Sequence, residues 1–363
     1  MLDNKNKKAR VLAFYLPQFH PIPENDKWWG KGFTEWTNVG KAKPLFKGHN
    51  QPRIPADLGY YDLRVAETRK EQADMAREYG VEGFCYWHYW FGNGKRLLER
   101  PFNEVLMSEE PDFPFCLAWA NETWKGFAHG MTNRNVLIEQ LYAGEQDDIN
   151  HFYTLLPAFK DKRYIKVNGK PLFMVYKALE HPYMQHFIDL WQKLAKENGL
   201  EGIFFVAHSS HVREVDEIKS KDFDAININR LFTYLHYHRR FNRRIIDKFN
   251  KIVYGMPFVY EYKKMIKYFT GPEDRRSDIF PSIFPNWDHS PRSGREGVVF
   301  HNSTPEYFKQ HLLEVFNAIK DKDDETNIVF LKSWNEWAEG NYMEPDRIFG
   351  LKYLETLREV ISK

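Results

Sequence analysis

The 363-residue chain is nearly without cysteine, having only Cys85 and Cys116. Two thiols do not frame a disulfide scaffold, and neither has the Cys/His spacing of a zinc site. Each lies in an apolar, strand-like run and reads as a reduced core residue of a cytosolic protein. Long hydrophobic runs are also missing: nothing approaches the roughly 18 apolar residues of a membrane-spanning helix. Residues 1–10 are polar and basic, and the apolar run after them is too short and too aromatic for a secretion signal. A cytoplasmic location is expected. An excess of charge is lacking as well, since 52 Lys and Arg against 50 Asp and Glu leave only +2. Without a basic field to hold a phosphate backbone, nucleic acid is disfavoured as a partner. No Gly-x-Gly-x-x-Gly follows the first strand, so a dinucleotide fold is not indicated. No cofactor is expected, and no metal: His236 and His238, two apart with no third ligand, make a poor pair.

What the chain has in surplus is rings. Aromatics are 17% of it, with 11 Trp, 20 Tyr and 29 Phe, against 42% hydrophobic residues in all. That is more than a core alone requires, and it fits surfaces on which sugars or bases stack. The charge balance selects sugars.

Apolar runs alternate with helical periodicity from end to end. The strands are expected at 10–16, 81–87, 115–119, 171–176, 202–207, 223–228, 279–284 and 328–331. Helices are expected at 63–79, 97–107, 148–159, 183–198, 260–269, 305–320 and 351–361. About eight such repeats favour a (β/α)8 barrel of the TIM type, an α/β fold, with a long aromatic-rich insertion after the first strand. No linker or low-complexity segment interrupts it, so residues 1–363 are expected to form one catalytic domain. The basic, aromatic stretch 230–256 has no clear assignment.

In such a barrel, chemistry collects at the C-terminal strand ends. Reading those ends gives Tyr15 and His20, then His88, Tyr89 and Trp90. Trp119, Asn121, Glu122 and Trp124 follow the third strand, Tyr176 the fourth, and His208 the fifth. Trp287 follows the seventh. The insertion adds Glu35 with Trp36. The eighth strand runs into Trp334, Asn335, Glu336, Trp337 and Glu339, with Gly340 permitting a turn. Two carboxylates three apart, among indoles, suit acid–base chemistry on a sugar. Glu336 and Glu339 are the catalytic candidates, and the other residues named are candidates for substrate binding. For Glu35 and Glu122, a structural role beside an Arg or Lys is as well supported. The cluster 236–244 is the strongest basic stretch, readable as a solvated helix face or as a contact for an acidic sugar or phosphate.

Five segments carry a family resemblance: Ala13-Phe-Tyr-Leu-Pro-Gln-Phe-His20, Gly32-Phe-Thr-Glu-Trp-Thr-Asn38, Gly83-Phe-Cys-Tyr-Trp-His-Tyr-Trp90, Leu117-Ala-Trp-Ala-Asn-Glu-Thr-Trp124 and Trp334-Asn-Glu-Trp-Ala-Glu-Gly340. Together they resemble the WbsX-type proteins of bacterial polysaccharide loci, which are related to glycoside hydrolase family 99. Only the last segment strongly resembles the hydrolases. The resemblance implies a (β/α) barrel and retaining cleavage of α-linked oligo- or polysaccharides, mannose-containing ones among them. It implies that Glu339 is the general acid and later the base. It implies that Glu336 takes the proton from the sugar's own 2-hydroxyl, whose oxygen attacks C1. A glycosyltransferase of O-antigen or surface-polysaccharide assembly is the alternative, since WbsX-type proteins carry that description. A non-catalytic carbohydrate-binding barrel is the second alternative.

Overall fold

A computed structural model describes residues 7–126 and 135–362. Eight parallel strands form a closed barrel: β1 (Arg10–Tyr15), β2 (Gly83–Trp90), β3 (Phe115–Trp119), β4 (Lys170–Val175), β5 (Phe204–Ser209), β6 (Ala225–Ile228), β7 (Ile279–Ile283) and β8 (Ile328–Leu331). Closure is made by β1, which pairs with β2 (Leu12 opposite Gly83) and with β8 (Arg10 opposite Ile328). The strands are nearly continuous apolar runs because a parallel sheet is covered on both faces. Gly83 is required at the start of β2: a Cβ there would lie 2.4 Å from the Pro114 carbonyl oxygen.

The helices are α1 (Pro23–Trp29), α2 (Glu35–Lys41), α3 (Ala66–Glu78), α4 (Arg100–Ser108), α5 (Glu145–Phe159), α6 (Met184–Glu197), α7 (Val215–Lys219), α8 (Phe241–Tyr254), α9 (Tyr262–Met265), α10 (Ser290–Ser293), α11 (Pro305–Ile319) and α12 (Lys352–Ile361). Strand alternation sorts the rings into two layers. Phe14, Phe204, Phe280 and Phe330 meet inside the barrel, with Phe14 and Phe330 at 5.2 Å between centroids. Phe173 points outward instead, onto Trp191 of α6 at 4.9 Å. Each large ring buried this way stabilises the fold by roughly 1.5–3 kcal/mol. Cys85 and Cys116 sit opposite one another in β2 and β3, buried and unbridged.

The structure differs from the sequence expectation in three places that matter for the site. β2 runs on to Trp90, because His88-Tyr-Trp continues the strand and pairs antiparallel with Arg96–Leu97. The region expected to be helical from 260 opens as a strand, Phe258–Glu261, pairing with Val298–His301. The unassigned basic stretch forms α8. Among the described residues, no helix is long and apolar enough to cross a membrane.

Candidate active site

After β8 the chain passes a cis Lys332–Ser333 peptide and enters a tight hairpin, Asn335–Glu336 against Asn341–Tyr342. A single 3-10 turn, Trp337–Glu339, joins the two arms. Gly340 closes that turn at φ +65°, and a Cβ there would lie 2.7 Å from Asp288 Cβ. Asp288 is fully buried and organises the neighbouring loops. It accepts from Gln51 Nε2 (2.7 Å) and Ser290 N (3.0 Å), lies 2.9 Å from His49 Nε2, and donates from its own N–H to the Glu339 carbonyl at 2.6 Å. Burial would raise its carboxyl, but the His49 hydrogen bond and the Arg53 charge bring it down to about 2.

The hairpin aims Glu336 and Glu339 at Arg292 of α10. Arg292 donates from Nη2 to Glu336 Oε1 and from Nη1 to Glu339 Oε1, each at 2.6 Å, and from Nε to Glu35 Oε2 at 3.2 Å. The planar guanidinium fork gives each of the three carboxylates its own N–H in a fixed direction, which the rotating donors of a lysine would not. Glu35 is delivered by the first turn of α2, which Thr34 caps by accepting from Trp36 N–H.

The two catalytic candidates have unequal surroundings. Glu339 has Lys332 Nζ at 3.7 Å, His289 Nε2 at 3.7 Å and Asn341 Nδ2 at 3.4 Å in addition to Arg292. Its burial is outweighed by Arg292, Lys332 and His289, which bring its carboxyl down to about 2. Glu336 is more deeply buried, and burial together with the Glu339 charge pushes it up to about 7 despite Arg292. At neutral pH the ionised member is therefore Glu339, and Glu336 is poised near neutrality.

A cavity of about 400 Å³ opens at the C-terminal ends of β4 and β5, lined among others by Tyr176, Lys177, His208, Phe232 and His236. Tyr176 stacks on His208 (5.0 Å, 26°) and meets Trp87 edge-on. His208 is pushed down to about 3 by burial, so it is neutral. Its tautomer follows from Asn227, whose amide donates to the Phe280 carbonyl, leaving its oxygen to accept from His208 Nδ1 at 2.8 Å. Nε2 of His208 is thereby left as an acceptor. The charges of Glu339 and Glu336 reach Tyr176, and that of Glu339 reaches Glu122, whose carboxyl is raised by burial. Tyr89 is raised by burial and by Glu336. Trp287 lies beside Lys332, whose Nζ is 5.6 Å from its ring centroid, and beside His289. Thus Glu336, Glu339, Glu35, Glu122, Tyr89, Tyr176, His208 and Trp287 gather at one end of the barrel.

Several other candidates lie elsewhere, and strand alternation is the main reason. Tyr15 points outward to α3, donating to Gln72 Oε1 at 2.7 Å. His88 also faces outward, 2.8 Å from His151 of α5, and Trp90 stacks on the same histidine. Trp119 faces the helices, where Phe187 of α6 packs on it. His20 turns back to the Pro17 carbonyl at 2.9 Å. Asn335 and Asn121 are loop braces. Asn335 exchanges two hydrogen bonds with the Leu16 backbone (2.7 and 3.0 Å), and Asn121 does the same with the backbone of Lys177. Trp124 packs under Tyr89, and Trp334 packs on Phe84. Trp337 stacks on Tyr342 and against Trp36, and donates to Glu344 Oε2 at 2.6 Å. The tryptophans around the carboxylates support the hairpin from behind instead of walling the cleft. Glu344, pushed up to about 7 by burial, anchors that support by also accepting from Tyr61 and Gln72.

Arg292 and Lys332 escaped the sequence reading. Lys332 was discoverable, standing one residue past β8 at the inward parity of Phe330. Arg292 had a weaker signal, as a cation just after Asn286-Trp-Asp-His289 where Glu35 needed a partner. Among the described residues, no three His, Cys, Asp or Glu side chains are grouped to hold a metal ion. His236 lies against His211 at 4.8 Å, while His238 lies on Tyr268.

Residues 11–357 match the family profile described as Glycosyltransferase WbsX. The chain belongs to the WbsX family. It is 34% identical, over 98% of its length, to the uncharacterised protein WxcX of Xanthomonas campestris pv. campestris strain B100, and equally to that of strain ATCC 33913. The chain spans about half the length of these curated relatives, 50% in each case. Among solved structures it resembles the family 99 endo-α-mannosidase of Bacteroides thetaiotaomicron (TM-score 0.58, 14% identity, 99% of this chain and 96% of that one). It also resembles a glycoside hydrolase-like protein (TM-score 0.63, 15% identity, 100% and 96%). At these identities the WbsX family shares the barrel with the hydrolases, and the likeness extends to the fold alone.

Proposed function

We propose that the protein transfers a glycosyl group to a saccharide acceptor from a donor whose leaving group departs as an anion, a sugar phosphate or diphosphate. The observation that carries this is the electrostatic state of Glu339. The acid that a hydrolase of unactivated glycosides needs must hold a proton at working pH. Glu339, given that role by the family resemblance, has instead Arg292 at 2.6 Å and Lys332 at 3.7 Å. A phosphate leaving group needs no such proton, and the two cations are placed to receive its charge. Glu336, poised near 7, takes the proton of the acceptor hydroxyl. Tyr176 offers a face for a sugar ring, and His208 Nε2 accepts from a hydroxyl. The description carried by the family profile supports the same reading.

Hydrolysis of an α-linked saccharide is the second reading, favoured by one observation: a Glu336 raised toward neutrality is itself a candidate acid. The roles of the two glutamates would then be exchanged relative to family 99. Parallel incubations separate the readings. One contains nucleotide-diphosphate and 1-phosphate hexoses with labelled sugar plus acceptor oligosaccharides, and the other contains unactivated α-mannooligosaccharides and bacterial surface polysaccharides. Label in an elongated acceptor, lost in Glu336→Gln, supports transfer. New reducing ends in the second incubation, without elongation in the first, would replace it with hydrolysis.

A further inference from the structure

α8 is turned inside out. A surface helix ordinarily buries its apolar stripe and exposes its charges. Here the buried position is Asp247, which accepts from Tyr260 Oη at 2.6 Å and pairs with Arg243 Nε at 2.8 Å. Lys251, on the same side, pairs with Glu296 and lies over Phe258. The opposite side is open to solvent and, Asn242 apart, apolar: Phe241, Ile245, Ile246, Phe249, Ile252 and Val253 are 48–78% exposed. At 100° per residue these six fall within an arc of about 140°, centred away from Asp247. Arg244 and Lys248 border that arc, Arg240 precedes it, and the one acid of the helix is the buried Asp247.

We infer that this face docks on the surface of an anionic phospholipid bilayer, with α8 lying in the plane of the interface. An exposed apolar arc edged by Arg and Lys, with no exposed acid, is the composition that inserts between headgroups while meeting their negative charge. A second copy of the chain is a poor occupant, because apposed α8 faces would bring Arg244 and Lys248 of both copies together. The helix is held to the body by the Asp247 cluster, so binding requires no refolding. The stretch leading into it, Tyr234–His238, contributes His236 to the cavity beside β5, which brings that cavity near the membrane.

Flotation of the full chain with vesicles tests this. The protein is expected to float with vesicles of phosphatidylcholine and phosphatidylglycerol, to stay behind with phosphatidylcholine alone, and to be released by salt. Phe241→Ser/Ile245→Ser/Ile252→Ser, all at exposed positions, should abolish flotation while leaving the melting temperature unchanged. Arg244→Gln/Lys248→Gln should weaken partition by about 30-fold. Equal flotation of the serine variant, or none of the wild type on either vesicle, overturns the inference. A concentration-dependent dimer in vesicle-free solution that the serine variant loses would assign the face to a second copy instead.

Discussion

Arg292 and Glu339 share a 2.6 Å hydrogen bond, and the guanidinium that makes it binds Glu336 at the same distance. The site therefore depends on one cation set among three carboxylates. Arg292→Met leaves Glu35, Glu336 and Glu339 buried without it, and unfolding by denaturant should show a loss of about 3–5 kcal/mol. Arg292→Lys keeps the charge but not the fork. Its kcat/KM should fall by about 10²–10³-fold with a smaller loss of stability.

The pH behaviour follows from Glu336. Its folded pKa, about 7, is raised above the usual carboxylate value. The folded protein therefore holds that proton more tightly than the unfolded chain. This contribution to stability is complete below about 4.5 and lost as pH rises through about 7. Glu344, also pushed up to about 7 by burial, acts in the same direction. Melting temperature should fall between pH 5 and 7, and less steeply in Glu336→Gln. Activity should move the other way, with kcat/KM rising through pH 7 as Glu336 becomes a base. A limb that falls there would identify Glu336 as an acid.

Most of the barrel was legible in the sequence, because buried parallel strands are apolar runs and the helices between them keep their period. Ile328–Leu331 and Pro305–Ile319 stand where the pattern put them, with Thr304 as the cap of the latter. The site was legible in part. Glu336 and Glu339 announce themselves by spacing and composition. The direction a residue faces at a strand end depends on where the strand stops, and β2 stopping at Trp90 turned His88 to the helices. Ion-pair partners from distant loops carry no periodic signal. Glu35 and Arg292 are 257 residues apart, and only the fold joins them.

Gly340 is a second point of vulnerability. Gly340→Ala adds a methyl at φ +65° and 2.7 Å from Asp288 Cβ. The variant should lose about 1–3 kcal/mol in denaturant unfolding. Because Asp288 N–H holds the Glu339 carbonyl, kcat should fall with it.

Asn335 should behave as a brace. Asn335→Ala leaves the Leu16 N–H and carbonyl without partners in a buried position. The expected cost is about 2–4 kcal/mol of stability. Tyr176→Ala, by contrast, removes a stacking face from the cavity. It should raise KM for the saccharide by about 10-fold and change kcat less.

The ionisation of Glu339 bears most directly on the proposed chemistry and needs no substrate. Carboxyl-¹³C glutamate incorporated throughout the protein, with Glu336→Gln and Glu339→Gln to assign the two resonances, reports both groups by NMR across pH 4 to 9. The Glu339 signal should stay at its ionised position throughout while that of Glu336 moves with a midpoint near 7. A Glu339 signal that titrates near neutrality beside an always-ionised Glu336 would contradict this assignment and restore Glu339 as the general acid of a hydrolase.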